Sequence, residues 1–291
     1  MTIDASLDEG SWALTEPATN FWEHFPTDKK QAKQQTEIKM MFDDLNLYIG
    51  IKVKSASNNY IVPSLRRDFR ASGNDNVTLL FDTFNDGTNA FFFGTNPLGV
   101  KREALLSGGG TDLRGFNLAW DTKWTGESKI YDNHYILEWK IPLSAFKYKE
   151  GETKWRFNTY QFDTQDNVQN SWVNVPQNQY IFNLAFMGDL IFDRPLGKSK
   201  SPVSIIPFIN TITSKDFENN NNTNSFKIGG DAKLTIANSM NLDLTLNPDF
   251  SQVEVDQQVT NLTRFEVGLP ERRQFFIENS DLFGSYGDGR D

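Results

Sequence analysis

An alternation of apolar and polar residues with a period of two runs through most of this chain. It is clearest in NLDLTLN, residues 241–247, where Leu242, Leu244 and Leu246 alternate with polar residues. Successive side chains of a β-strand point to opposite faces, so this period is typical of half-buried strands. Helical periodicity is nearly absent, apart from a single turn expected in PLSAF. The sequence therefore predicts an all-β protein.

Segments rich in aromatic and β-branched residues mark the strands of the first two thirds of the chain. They are TEIKMMF, LYIGIKV, NVTLLFD, AFFFGTN, YILEWKI and KWRFNTYQF. Strands of this number without intervening helices favour an antiparallel β-sandwich. The segment DRPLGKSKSP has the composition of a linker. We place a domain boundary in it, which gives one domain over residues 1–197 and a second over residues 198–291.

The second domain begins with a different pattern. VSIIPFINTIT predicts a strand, SKDFENNNNTNS a long polar loop, FKIGGDAKLTI a second strand and ANSM a tight turn into NLDLTLN. Strands of about ten residues with short turns at one end and long loops at the other are typical of an outer-membrane β-barrel, with apolar residues toward lipid. A soluble hairpin with one face on a core gives the same alternation. The pattern alone leaves both interpretations open.

Composition excludes several classes of protein. The 291 residues include no cysteine, and the two histidines, His24 and His134, are too far apart for a local zinc motif. A bound metal would therefore be a hard, oxygen-liganded ion such as calcium. The net charge of −9 argues against a nucleic-acid partner. No apolar run approaches the length of a membrane helix, and if the protein is exported, we expect its signal peptide to have been removed.

The segment LTLNPDFSQVEVDQQVTNLTRFEVGLPERRQFFIENSDLF, residues 244–283, resembles the signature of a Bacteroidota family, DUF5916. In that family a predicted outer-membrane β-barrel follows an N-terminal carbohydrate-binding family 9-like domain. The resemblance implies that residues 198–291 begin a barrel whose remainder lies outside this sequence. Glu271 and Glu278 in this segment could be read as a catalytic carboxylate pair. Structural ion pairing is the simpler interpretation, because nothing supplies a pocket or a nucleophile.

The first domain resembles carbohydrate-binding module family 9 along its whole length. IDASLDEGSW is similar to the opening strand of that family, and IKMMFDDLNLYIGIKV to its first hairpin. DNVTLLFDT, YILEWKIPL, WRFNTYQFD, SWVNVP and FMGDLIF match later elements in the same order. The resemblance implies a β-sandwich with bound calcium, whose better-known members bind the reducing ends of glycans. Asp4, Asp8 and Glu9, or Asp82 and Asp86, could supply calcium oxygens, and a solvated acidic turn is the alternative.

Family members hold the terminal sugar between two tryptophans, because the apolar faces of sugars stack on aromatic rings. In our alignment the first tryptophan falls at Ser72, with Phe69 the nearest aromatic residue, and the second falls at Tyr180. A glutamate of the family site falls at Thr78 and an arginine at Gly94. The resemblance therefore implies that this clamp is largely dismantled and that Tyr180 alone keeps its chemistry.

Other residues complete the predicted ligand site. Asn178 and Lys129 could keep polar contacts of the family site. Trp120 and Trp124, or Phe116 in the same loop GFNLAWDTKWTG, could rebuild the missing aromatic wall. Packing of these rings between the sheets is the alternative interpretation.

Two functions follow from these expectations. The first is a non-catalytic module that binds a glycan or a related polar ligand and is attached to an outer-membrane barrel. The alternative is a structural or partner-docking domain of the barrel that binds no sugar. An enzyme is not expected, since the motifs contain no set of nucleophile and base. We expect the protein in the cell envelope, at the periplasmic face of the outer membrane.

Overall fold

The structure is a computed structural model, and it describes residues 1–118, 120–198, 204–216, 221–236 and 240–247. Regular structure is nearly all β-strand, with one short helix, α1, at Gly10–Ala13. Three 3₁₀ turns lie at Gly108–Gly110, Leu113–Gly115 and Leu143–Ala145, and the last confirms the turn predicted in PLSAF. None of the helices in these ranges has the length and hydropathy to cross a membrane. The chain forms two compact units, Met1–Lys200 and Ser201–Phe283, and each is described by itself.

The first unit is an antiparallel β-sandwich. Its strands are β1 (Trp22–Phe25), β2 (Thr36–Phe42), β3 (Asn46–Lys54), β4 (Asn76–Asp82), β5 (Ala90–Thr95), β6 (Lys101–Leu106), β7 (Phe116–Asn117), β8 (Thr125–Ile130), β9 (His134–Pro142), β10 (Lys154–Asp163), β11 (Val168–Ser171) and β12 (Gly188–Ile191). The smaller sheet has the order β2-β3-β9-β8. The larger has the order β1-β11-β10-β4-β5-β6-β7, and β12 also pairs with β10.

All six strands predicted for this unit are confirmed, and they are the longer strands of the two sheets. TEIKMMF is β2, and NVTLLFD is β4. The strands that the pattern missed, such as β8 with the sequence TGESKI, are mostly short and polar and lie toward the sheet edges. Central strands are covered by neighbours and by both layers, so their sequences are more apolar and easier to detect.

The main core lies between the two sheets. The larger sheet contributes Phe81 and Phe93, and the smaller sheet contributes Trp139, all completely buried. Phe81 makes edge-to-face contacts with the rings of Phe93 and Phe146, at 6.4 and 5.5 Å between centroids. Aromatic pairs of this geometry contribute about 0.5–1.5 kcal/mol each beyond the area they bury. We call this side of the larger sheet its inner face.

The outer face of the larger sheet, which points away from the smaller sheet, is also covered. Leu80 and Phe92 on this face pack with Ile181, Phe182 and Leu184 from the segment between β11 and β12. Every residue of β4 is therefore buried, whichever face its side chain takes. Burial on both faces explains why NVTLLFD lacks a clean alternation of apolar and polar residues.

The second unit is a three-stranded antiparallel sheet, formed by β13 (Ser204–Asp216), β14 (Asn221–Ile236) and β15 (Met240–Leu246) in that order. Its register aligns Ile205, Ala232 and Leu244 across the sheet. Ile205 and Leu244 are 71% and 51% exposed, and Leu246 is 75% exposed. One face of this sheet therefore presents a row of uncovered apolar side chains.

The long polar loop predicted over SKDFENNNNTNS is mostly strand, and this prediction was wrong. Lys215 pairs with Asn222 and Asp216 with Asn221, so the ladder between β13 and β14 extends into the asparagine-rich segment. Pairing with a neighbouring strand outweighs the weak intrinsic preference of asparagine for strands. Most of the ANSM turn, the linker residues 199–203 and the signature from residue 248 onward lie outside the described residues. The boundary after residue 197 stays a prediction.

Candidate functional site

A row of four residues crosses the outer face of the larger sheet, and two of them occupy positions aligned with the family's sugar site. The strand register places Tyr160 of β10 opposite Thr78 of β4, Thr78 opposite Gly94 of β5, and Gly94 opposite Arg102 of β6. Thr78 and Gly94 are the positions aligned with the glutamate and the arginine of the family site. They are direct neighbours, but neither carries a charge.

The side chain of Arg102 lies across this row. Its Nη1 donates a hydrogen bond to the hydroxyl of Tyr160 at 3.4 Å, although the two residues are three strands apart, about 14 Å at ordinary strand spacing. The two long side chains therefore meet over the middle strands. Gly94 makes this possible, since an added Cβ would lie 3.1 Å from Cγ of Arg102 and 2.6 Å from Oγ1 of Thr78. The sequence analysis missed Arg102, because it aligns with neither site position.

A loop between β3 and β4 covers this arginine. The ring centroid of Phe69 lies 5.7 Å from Cζ of Arg102, within the range of a cation–π contact. Asp68, at a φ of 57°, donates its backbone N–H to the carbonyl of Lys101 at 3.1 Å. Its carboxylate accepts the N–H of Glu103 at 3.2 Å. The loop is thus attached to the edge of β6, and Phe69 is buried rather than free to stack on a ligand.

The neighbouring Arg67 attaches the same loop through a second set of contacts. Its guanidinium contacts the buried carboxylate of Glu103 and lies 2.6 Å from Oδ1 of Asp121. Nε1 of Trp124 donates to Oε2 of Glu103 at 3.2 Å. Burial and the hydrogen bond with Asp121 raise the pKa of Glu103, Arg67 and Trp124 lower it, and the net pKa is about 7. The contacts that hold the loop therefore include a carboxyl that titrates near neutrality.

Tyr180 is the predicted site residue whose ring remains open. It is 43% exposed and stacks on Phe182 with 5.0 Å between centroids and 17° between planes. Phe182 is buried and makes an edge-to-face contact with Phe116 at 4.8 Å between centroids, so packing beneath Tyr180 holds the stacked pair in place. Asn178 is exposed in the turn just before it, which the N–H of Gln179 closes onto the carbonyl of Pro176.

The structure does not place the predicted site residues Lys129 and Trp124 beside Tyr180. Lys129 lies on β8 of the smaller sheet, and its Nζ is 5.6 Å from the ring of Tyr131. Trp124 is only 4% exposed, and its ring contacts Phe93 and Trp139 in the core. Packing between the sheets, the alternative interpretation, therefore describes Trp124.

Two further positions complete the comparison with the predicted clamp. Trp120 is half-buried and packs against Phe91 and Phe93, at 5.6 and 5.8 Å between centroids. Ser72, the position of the first family tryptophan, is exposed and carries no ring. Of the two aligned clamp positions, Tyr180 therefore provides an open aromatic ring and Ser72 provides none.

The carboxylates of the turn after β4 accept hydrogen bonds from the protein itself. The carboxylate of Asp82 accepts the backbone N–H of Gly87 at 2.8 Å and of Phe84 at 3.2 Å, and it lies 3.8 Å from Arg156. Asp86 accepts a backbone N–H within the same turn. These contacts give the turn a structural role, and calcium at Asp82 and Asp86 stays a prediction.

The N-terminal segment and Glu138 contain buried carboxylate oxygens without a partner. Oε2 of Glu138 accepts the backbone N–H of Asp4 at 2.9 Å, whereas its Oε1 and the Oε2 of Glu9 are buried without a partner. Burial raises the pKa of Glu138, and the charge of Glu9 contributes. The described residues hold no group of three or more acidic or histidine side chains that could bind a metal. Calcium at Asp4, Asp8 and Glu9 stays a prediction, which melting temperatures with and without calcium would check.

The sandwich fold agrees with a match to a family of binding domains. The chain belongs to the carbohydrate family 9 binding domain-like family, whose family model matches residues 3–192. Residues 202–287 match a domain of unknown function, DUF5916. The match over the sandwich is to a binding-domain family rather than to an enzyme family, in agreement with the expectation of a non-catalytic module.

Three solved structures resemble this chain at low identity. A putative carbohydrate-binding protein from Bacteroides uniformis has a TM-score of 0.50 and 15% identity, over 62% of this chain and 88% of that one. A carbohydrate binding module family 9 from Caldicellulosiruptor kristjanssonii in complex with cellotriose has a TM-score of 0.46 and 16% identity, over 70% and 95%. Its complex with glucose gives 0.46 and 16%, over 69% and 94%. A comparison with curated proteins found no match.

Proposed function

We propose that the sandwich is a non-catalytic module that binds a glycan on the outer face of its larger sheet. The observation that carries this proposal is the exposed ring of Tyr180, which is held flat against Phe182 beside an accessible turn. An aromatic face with nearby polar groups is what a sugar ring requires. Membership of the carbohydrate family 9 binding domain-like family supports it.

We expect weak binding of neutral glucose and cellobiose. Ser72 provides no second stacking wall, a loss of about 1 kcal/mol or more beyond area burial. Thr78 and Gly94 provide no charge-assisted hydrogen bonds, which are worth roughly 1.5–3 kcal/mol each. Together these losses amount to several powers of ten in affinity.

Calorimetric titration of the whole chain with cellobiose and xylo-oligosaccharides tests this function. We expect the unmodified chain to bind with dissociation constants above the micromolar range. Tyr180→Ala should abolish this binding, because it removes the aromatic ring on which the sugar stacks. The control is Tyr131→Ala, since that ring stacks on His134 at 4.5 Å in a hairpin of the smaller sheet. Micromolar binding that survives Tyr180→Ala would show that the site lies elsewhere.

One observation favours the alternative function, a structural or partner-docking domain. Much of the outer face is filled by Leu80, Phe92, Ile181 and Phe182, which pack together without leaving the sheet open. A filled face suits protein packing better than a sugar groove. Absence of binding to every glycan tested would favour this alternative.

We further propose that β13–β15 begin an outer-membrane β-barrel and that the sandwich lies at the periplasmic face of that membrane. The uncovered apolar row through Ile205, Ile228 and Leu244 supports lipid contact, because barrels expose apolar side chains on their outer surface. A closed barrel also satisfies the backbone groups of strand edges, which lipid cannot do.

A further inference from the structure

Arg102 carries a nearly buried charge without an acidic partner. The residue is 8% exposed, and its contacts are one hydrogen bond to Tyr160 and the ring of Phe69. No described carboxylate forms an ion pair with it, unlike Arg67, which has two. Burial raises the pKa of Asp68 in the covering loop, and the charge of Arg102 is among the causes that lower it.

This arrangement is unusual for an arginine that has a structural role only. A guanidinium has five N–H donors, and burial of an unpaired charge costs free energy that a structural arginine recovers from a carboxylate. Here a single long hydrogen bond to a neutral phenol replaces that carboxylate. The guanidinium therefore retains unused donors on the outer face of the sheet.

The unused donors lie on the same face as the stacking platform. Ile181 and Phe182, which follow Tyr180 in the chain, pack in one cluster with Tyr160. Tyr160 in turn meets the guanidinium of Arg102. Because guanidinium groups bind carboxylates with two parallel hydrogen bonds, this face combines a ring for a sugar with a cation for an acid.

We propose that the ligand of this face is an acidic sugar, a glycan containing uronic acid, whose carboxylate binds Arg102. This inference rests on the proposed glycan-binding function and specifies the class of ligand. The exposed part of Arg102 is small, which suits a carboxylate group better than a whole sugar ring. The row from Tyr160 to Arg102 is otherwise uncharged, so the arginine sets the sign of the ligand charge.

Matched pairs of ligands test the inference on the unmodified whole chain by calorimetry. The pairs are methyl glucuronide against methyl glucoside, and xylo-oligosaccharides with and without a glucuronic acid branch. We expect the acidic member of each pair to bind at least about tenfold more tightly, which is 1.4 kcal/mol. The preference should diminish between 50 and 500 mM salt, because salt screens the ion pair.

Arg102→Met tests the same point on the protein, since methionine keeps an unbranched apolar stem and removes the charge. We expect it to abolish the preference for the acidic ligand. Arg114→Met is the control, because Arg114 forms its ion pair with Asp112 on the surface and is 91% exposed. A melting temperature of each variant shows whether it folds. If Arg102→Met does not fold, the matched ligand pairs on the unmodified chain still test the inference.

The outcomes separate this inference from the proposed function. Equal binding of neutral and acidic sugars, or a preference that persists in Arg102→Met, would overturn the inference and leave glycan binding in place. Sulfate or acetate that binds as tightly as the uronic acid sugars would also overturn it, because no sugar would then be required. Binding of neither member of any pair would overturn both proposals.

Discussion

Strands β4 and β15 have similar lengths and similar numbers of apolar residues, but their side chains differ in burial. All seven residues of β4 are buried, because the smaller sheet packs against one face and the segment between β11 and β12 packs against the other. In β15 the leucines at 242, 244 and 246 are 39%, 51% and 75% exposed. The comparison shows that the apolar side chains of one strand can be covered by packing within the chain, whereas those of a similar strand can stay exposed to their surroundings.

The largest expected effect concerns two phenylalanines, one from each unit. Phe81→Ala should destabilise the sandwich by about 3–5 kcal/mol, because it removes a fully buried ring from the core. Phe226→Ala should change stability in water by about 0.5 kcal/mol or less, since Phe226 is 64% exposed. Urea unfolding of the whole chain measures both values. Similar costs for the two variants would mean that the apolar face of β14 is covered in solution.

A smaller effect is expected in membranes, and it tests the proposed lipid contact. Leu244→Arg should weaken insertion into lipid vesicles by about 2–4 kcal/mol if the residue lies near the bilayer midplane. Thr245→Arg is the matched control, because successive residues of a strand face opposite sides. Protease protection after mixing with vesicles provides the measurement. Equal protection of the two variants would contradict the barrel proposal.

Burial in the sandwich also acts on charges, and this effect appears as a dependence of stability on pH. The pKa of Glu103 is raised by burial to about 7, so the folded protein holds a proton that the unfolded chain has lost above its ordinary pKa. Stability should therefore fall as pH rises from about 4.5 to 7. Glu103→Gln should flatten this dependence, and the exposed Glu127→Gln should not. Unfolding midpoints across this range check it, and an unchanged slope in Glu103→Gln would contradict the assignment.

Sequence reasoning predicted the longer strands and missed most of the short or polar ones. NVTLLFD corresponds to β4 without a shift, because burial on both faces gives it an apolar composition, and TEIKMMF corresponds to β2. β8 and the asparagine-rich beginning of β14 were missed, because they are specified by pairing with a neighbour rather than by their own residues. Tyr180 was predicted from family resemblance, and the structure leaves its ring exposed.

The sequence by itself determined the all-β class, the likeness to a carbohydrate-binding family and the loss of the aligned clamp residues. Each of these depends on residue types and their local spacing. Only the tertiary structure decided that Trp124 is a core residue and that Arg102 reaches Tyr160 across Thr78 and Gly94. Arg102 and Tyr160 are 58 residues apart in the chain and meet only through the register of four strands. Register is fixed by packing and hydrogen bonding between distant segments, so a local pattern cannot reveal which side chains it brings together.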